Sequence, residues 1–100
     1  MALTPGMRLR SQVCSTELIV IRPAEIDLTC GGPPVITLTE HPAPELSLDP
    51  ALATGNQLGK RYTNTTGDLE ILVTKQGKGT LADADQPLPL KEAKPLPSSD

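Results

Sequence analysis

The sequence predicts an all-β fold: two hairpins and one or two extra strands in a small sandwich or partly open barrel, followed by a proline-rich extended C-terminal tail. Three observations carry that reading. Short β-branched or alternating runs, above all Glu17–Arg22 and Leu69–Lys75, recur between clusters of Gly, Pro, Asn and Asp. Eleven prolines punctuate the chain closely enough to forbid a long helix. A length of 100 residues suits one domain, because a second core would fall below the size that folds without metals or disulfides.

The elements follow in order. Residues 1–12 lack periodicity and read as an N-terminal tail ahead of a single β domain over residues 13–86. Glu17–Arg22 is a strand that Pro23 stops, since proline cannot donate to a ladder. Ile26–Cys30 alternates, with Ile26, Leu28 and Cys30 on one face, and pairs with it as the first hairpin through Pro23-Ala24-Glu25. After the break at Gly31-Gly32-Pro33-Pro34, Val35–Thr39 is a strand with Ile36 and Leu38 inward. His41-Pro42-Ala43-Pro44 is extended, because a residue before proline is pushed out of the α region. Asp49 caps a single helical turn that has Pro50 at its first position.

Leu58–Tyr62 is a short strand, and Asn64–Gly67 is turn chemistry leading into the strand Leu69–Lys75. Gln76–Gly79 turns that strand into Thr80–Ala82, a second hairpin. The two hairpins share a layout: Ile19-Val20, Leu28 and Pro34-Val35 recur as Leu72-Val73, Leu81 and Pro87-Leu88, at an offset of 53 positions. This spacing allows a duplicated hairpin packed face to face, although identity is low and strand-turn-strand repeats of this kind also arise by chance. Residues 87–100 form the C-terminal tail, extended by Pro87, Pro89, Pro95 and Pro97.

Composition excludes several roles. Aromatic residues are 1% of the chain, Tyr62 alone, so the core is aliphatic and its stabilisation thin. Residues 1–50 hold three basic and six acidic side chains, residues 51–100 six of each. No basic stripe or stacking platform offers itself to nucleic acid. The longest apolar stretch, Leu18–Ile21, neither spans a membrane nor makes a signal peptide, so the expected location is cytoplasmic, with free thiols.

No catalytic or cofactor-binding motif stands out. Gly55-Asn56-Gln57-Leu58-Gly59-Lys60-Arg61 lacks one spacer and the hydroxyl of a phosphate-binding loop, and Gly77-Lys78-Gly79-Thr80 is a hairpin turn. Asp83 and Asp85 lack the glycine and distal glutamate of a calcium loop. Cys14, Cys30 and His41 are the candidate soft metal ligands, although their separations match no knuckle and Cys30 faces inward as a small hydrophobe. Lys60, Arg61, Lys75 and Lys78 make a modest positive patch, which reads as ordinary solvation of a sheet face.

Cys30–Pro34, Gly59–Tyr62, Leu69–Lys75 and Lys94–Asp100 resemble uncharacterised small all-β proteins of high-GC soil bacteria. The resemblance covers most of the chain and brings no function. It implies a further cysteine in such relatives where this chain has Val73, and hence a three-cysteine site broken here.

The functional expectation is a non-catalytic accessory or binding protein that works by attachment to a protein partner or to itself, as a small subunit of a larger enzyme or a homo-oligomer. Exposed sheet edges and a thin core support it, and Lys94, Pro95, Leu96 and Pro97 are its candidate partner-binding segment. The alternative is a small metal-binding or redox protein using Cys14 and Cys30. Because the tail has few apolar groups, truncation after Leu90 is expected to cost about 0.5 kcal/mol or less and to leave the thermal midpoint within a few degrees. A scanning-calorimetry loss near ~10 °C contradicts that.

Overall fold

A computed structural model describes residues 3–91. Eight short strands form two antiparallel sheets: β1 (Arg8–Arg10), β2 (Glu17–Arg22), β3 (Leu28–Cys30), β4 (Ile36–Thr37), β5 (Arg61–Thr63), β6 (Glu70–Lys75), β7 (Leu81–Asp83) and β8 (Gln86–Pro87). The larger sheet runs β4-β1-β2-β6-β5 and the smaller β3-β7-β8. The fold is all-β, and the sheets do not close into a barrel. A single 3-10 turn, Pro50–Leu52, interrupts the long connection after β4, and Asp49 caps it by accepting from Ala51 N at 2.9 Å, as the Asp-Pro pair predicts.

Hairpins are present at β1–β2, β5–β6 and β7–β8, not between the expected partners. β1 pairs with β2 and β5 with β6, whereas β3 pairs across the molecule with β7. The connections 23–27 and 76–80 carry the chain from one sheet to the other. This lets Leu18 and Val20 of one layer and Leu28 of the other bury into one shared core. A tight hairpin would have placed those strands side by side, with no second layer to cover them.

The offset of 53 proves to be a structural repeat. β1, β2 and β3 coincide with β5, β6 and β7 at that offset, and so do their irregular contacts. Gly6 N donates to Val20 O at 2.7 Å and Gly59 N to Val73 O at 2.9 Å; Val20 N donates to Met7 O and Val73 N to Lys60 O. The bridge Thr29–Pro34 repeats as Ala82–Pro87, and the pair Leu9–Thr37 as the bridge Tyr62–Leu90. Two pairs join equivalent residues to each other, Ile19 with Leu72 and Thr29 with Ala82. A pseudo-twofold axis therefore passes through both sheets. The repeats meet edge to edge along β2–β6 and β3–β7, not face to face.

The core follows the same symmetry. Leu9 and Tyr62, Leu18 and Ile71, Val20 and Val73, Leu28 and Leu81, and Val35 and Leu88 occupy equivalent places in one buried cluster. Described residues from both expected tails belong to it, while residues 92–100 lie outside the described residues. Leu9, assigned to the N-terminal tail 1–12, is fully buried on β1. Gln86–Pro87 is an edge strand, Leu88 is buried, and Lys91 N donates to Arg61 O, so the domain runs on past 86 through the expected start of the C-terminal tail. Pro87 is tolerated because an edge strand leaves its missing N–H without a duty. Leu38, expected inward, is 37% exposed because β4 ends at Thr37.

Leu9→Ala opens a cavity at the centre of the core and is expected to destabilise the protein by about 3 kcal/mol, as measured by denaturant unfolding. A loss of only a few tenths is the result proper to a tail residue and contradicts this placement.

Candidate functional site

The structure brings two of the three soft ligands together. Cys14 lies in the connection 11–16 between β1 and β2, Cys30 ends β3, and their sulfurs are 3.8 Å apart. Both are free thiols; Cys14 is half-buried and Cys30 wholly buried. Among the described residues no group of three His, Cys, Asp or Glu side chains is placed to hold a metal ion, so exposed His41 does not join them.

The loop carrying Cys14 is wound around Ser11, whose Oγ accepts from Val13 N at 3.1 Å and Cys14 N at 3.2 Å. From the other side, the Cys14 sulfur meets Thr16 Oγ1 at 3.1 Å. Thr16 is fully buried, and its hydroxyl is oriented by Asn56. Asn56 Nδ2 donates to Thr16 Oγ1 at 2.7 Å and to Gly79 O at 2.9 Å, while Gly77 N donates to Asn56 Oδ1 at 3.1 Å. With its oxygen already accepting, Thr16 has its hydrogen left for the sulfur.

Gly77 and Gly79 close the site, and both positions require the absence of a side chain. A Cβ at Gly77 would lie 2.3 Å from Thr16 Oγ1 and 2.6 Å from Thr16 N; one at Gly79 would lie 2.9 Å from both the Cys30 sulfur and Gly31 N. The sequence shows these glycines only as a turn. Thr16 and Asn56 carried no signal at all, because their roles depend on contacts across 40 residues of chain.

The two thiols differ in acidity. Burial alone would raise Cys14, but hydrogen bonds from the Ser11 and Thr16 side chains and from the backbone of Thr16 and Gly79 outweigh it and lower the thiol to about 7. Burial pushes Cys30 up to about 12, and the negative charge of the Cys14 thiolate adds to the effect. Near neutral pH about half of Cys14 is therefore thiolate, while Cys30 keeps its proton.

The remaining candidates lie elsewhere. Arg61 is not a free cation: its Nη1 sits 3.1 Å from Glu70 Oε2, and Lys91 Nζ binds the other carboxylate oxygen. The Lys91 hydrogen bond, opposed by partial burial, holds Glu70 below its usual range. The loop before Arg61 feeds a hairpin, with Gly59 N bound to Val73 O. Lys94, Pro95, Leu96 and Pro97 lie outside the described residues. No helix of the described residues is long and apolar enough to cross a membrane.

Comparison with models of protein families, with curated proteins and with solved structures finds no match, so the site is read from its own geometry. That geometry defines a protein with a paired thiol site: one accessible, acidified cysteine above one buried, protonated partner.

The rate of Cys14 alkylation by iodoacetamide is expected to rise with pH through a midpoint near 7. Thr16→Val removes the hydroxyl donor and moves that midpoint up by about 1 pH unit, whereas Thr16→Ser keeps it. An unmoved midpoint in Thr16→Val contradicts the assigned role of the hydroxyl.

Proposed function

We propose that the protein works as a thiol–disulfide couple, with Cys14 as the attacking thiol and Cys30 as the resolving one. The observation that carries the reading is the 3.8 Å separation of two sulfurs in opposite environments. An exchange couple works with one accessible thiolate beside a second thiol within reach, and this pair has that arrangement.

The chemistry balances without a further group. The Cys14 thiolate attacks one sulfur of a partner disulfide, forms a mixed disulfide and releases the other partner sulfur as thiolate. Cys30 then passes its proton to a departing thiolate and attacks the Cys14 sulfur, which expels the second partner thiol. The partner disulfide is reduced to two thiols and the chain is oxidised to the Cys14–Cys30 disulfide. A thiol of the glutathione class drives the reverse. Closure brings the sulfurs from 3.8 Å to about 2.05 Å, a movement that falls on the 11–16 connection and leaves the ladders in place. Cys30 is inaccessible, so a partner meets Cys14 first. This reading takes up the redox alternative from the sequence, with Cys14 and Cys30, in place of the non-catalytic accessory protein expected first.

The test is exposure to oxidised glutathione followed by intact-mass measurement under denaturing, acid-quenched conditions. Wild type is expected to lose two hydrogens with no adduct, Cys30→Ser to hold one glutathione on Cys14, and Cys14→Ser to remain unmodified. A wild-type chain that accumulates the glutathione adduct, or stays fully reduced, overturns the reading.

A further inference from the structure

The pseudo-twofold gives the molecule two equivalent ends, and they are finished differently. At the thiol end, residues 48–54 lie as a strap against the smaller sheet. Asp49 N donates to Gly31 O at 2.9 Å, Thr80 N donates to Leu52 O at 2.8 Å, and Leu52 is buried. Leu48 Cδ1 fills the space above Gly31, where an added Cβ would meet it at 2.5 Å.

At the opposite end, the counterparts of Gly31 and Thr80 are Ala84 and Asp27. Their cross-sheet contact is kept: Gly31 N donates to Thr80 O at 3.0 Å and Ala84 N to Asp27 O at 2.7 Å. Ala84 even retains a left-handed backbone, φ 55°, against 73° at Gly31. No described segment crosses it. In place of a strap there is an open groove of about 340 Å³, with an apolar floor that includes Leu3, Ile26, Leu28 and Val35. The two backbone groups that the strap would bind are held by local side chains: Asp83 Oδ1 accepts from Asp27 N, and Thr29 Oγ1 donates to Ala84 O. Both backbone groups are thereby satisfied within the fold.

The rim selects the occupant. Segments 23–28 and 83–86, which lie at this end, carry Glu25, Asp27, Asp83 and Asp85 and contain no lysine or arginine. We propose that the groove binds an extended segment of a partner protein that repeats the strap's Leu-x-x-x-Leu spacing and carries lysine or arginine beside those leucines. The filled end supplies the binding mode, two leucines over the sheet with backbone hydrogen bonds at each edge, except that the Cβ of Ala84 takes the space that Leu48 fills above Gly31 and sets the first leucine to one side. The acidic rim supplies the preference for cations. The site is separate from the thiols and stands whether or not they exchange disulfides.

The probe is a fluorescein-labelled peptide, Lys-Leu-Lys-Pro-Ala-Leu-Lys, titrated against the full-length protein by fluorescence anisotropy, with amide chemical shifts mapping the contact. Saturable binding is expected, with the largest shifts at Asp27, Thr29 and Ala84. Alanine in place of both leucines is expected to weaken it by about tenfold or more. The exposed double substitution Asp27→Lys with Asp85→Lys is expected to weaken the lysine peptide by about tenfold while sparing a version with asparagine at the lysine positions. Neither substituted side chain makes a contact that the fold relies on, so loss of binding reads the groove and not the stability. Failure to saturate at millimolar peptide, or shifts centred on the outer face of the larger sheet, overturns the proposal. So does binding that appears only after removal of residues 92–100, which would make the chain's own tail the occupant.

Discussion

Everything in this fold hangs on the β2–β6 ladder, where Ile19 meets Leu72 on the pseudo-twofold axis. Alternation sends Leu18 and Val20 from one strand, and Ile71 and Val73 from the other, into the same core. The smaller sheet then covers them, because β3 and β7 cross the same axis through Thr29 and Ala82. Two repeats that each own half a core bury it only against each other. This explains how a chain with a single tyrosine and no other aromatic residue assembles one continuous interior from short strands.

The thiol pair arises where the repeat is broken. Cys30 stands opposite Asp83, Cys14 opposite Gly67, Thr16 opposite Leu69 and Gly79 opposite Ile26 in the two halves. At one end these positions carry two sulfurs, a hydroxyl and one bare backbone; at the other they carry a carboxylate, two aliphatic groups and a glycine in place of Cys14. The scaffold holds both sets in the same geometry, and the side chains decide that one end polarises a thiol while the other presents an acidic, apolar groove. Glu17 and Glu70 show the same divergence on the outer face. Glu70 is clamped between Arg61 and Lys91, whereas Glu17 has Leu38 where the second half has Lys91.

The strands most legible in the sequence were those with long β-branched runs, Glu17–Arg22 and Glu70–Lys75, along with the capped turn at Asp49-Pro50. β1 was not legible, since Arg8-Leu9-Arg10 holds one apolar residue and no period can be read from three positions. The hairpin partners were misread because proximity along the chain favours local pairing, whereas burial of Leu28 and Leu81 requires the opposite layer. The repeat at 53 positions contained the right answer, and strand pairing in the fold follows it. Half the candidate site was visible as two cysteines. The rest, Thr16 and Asn56 with the glycines that admit them, is set by contacts that no local pattern encodes.

The pairings that join the two halves also set an order of events during folding. β3 finds its ladder partner only in β7, 53 positions later, and the central edge of β2 waits for β6. Loop closure over such distances is entropically slow and is repaid only when both sheets form together. During synthesis the first half leaves the ribosome with the edge of β2 bare and with Leu18, Val20 and Leu28 still uncovered, until β6 and β7 follow. The nascent protein therefore passes through an interval in which its own neighbours on a polysome carry the complementary edge. Until both halves are present, edge-to-edge association between neighbouring chains competes with folding.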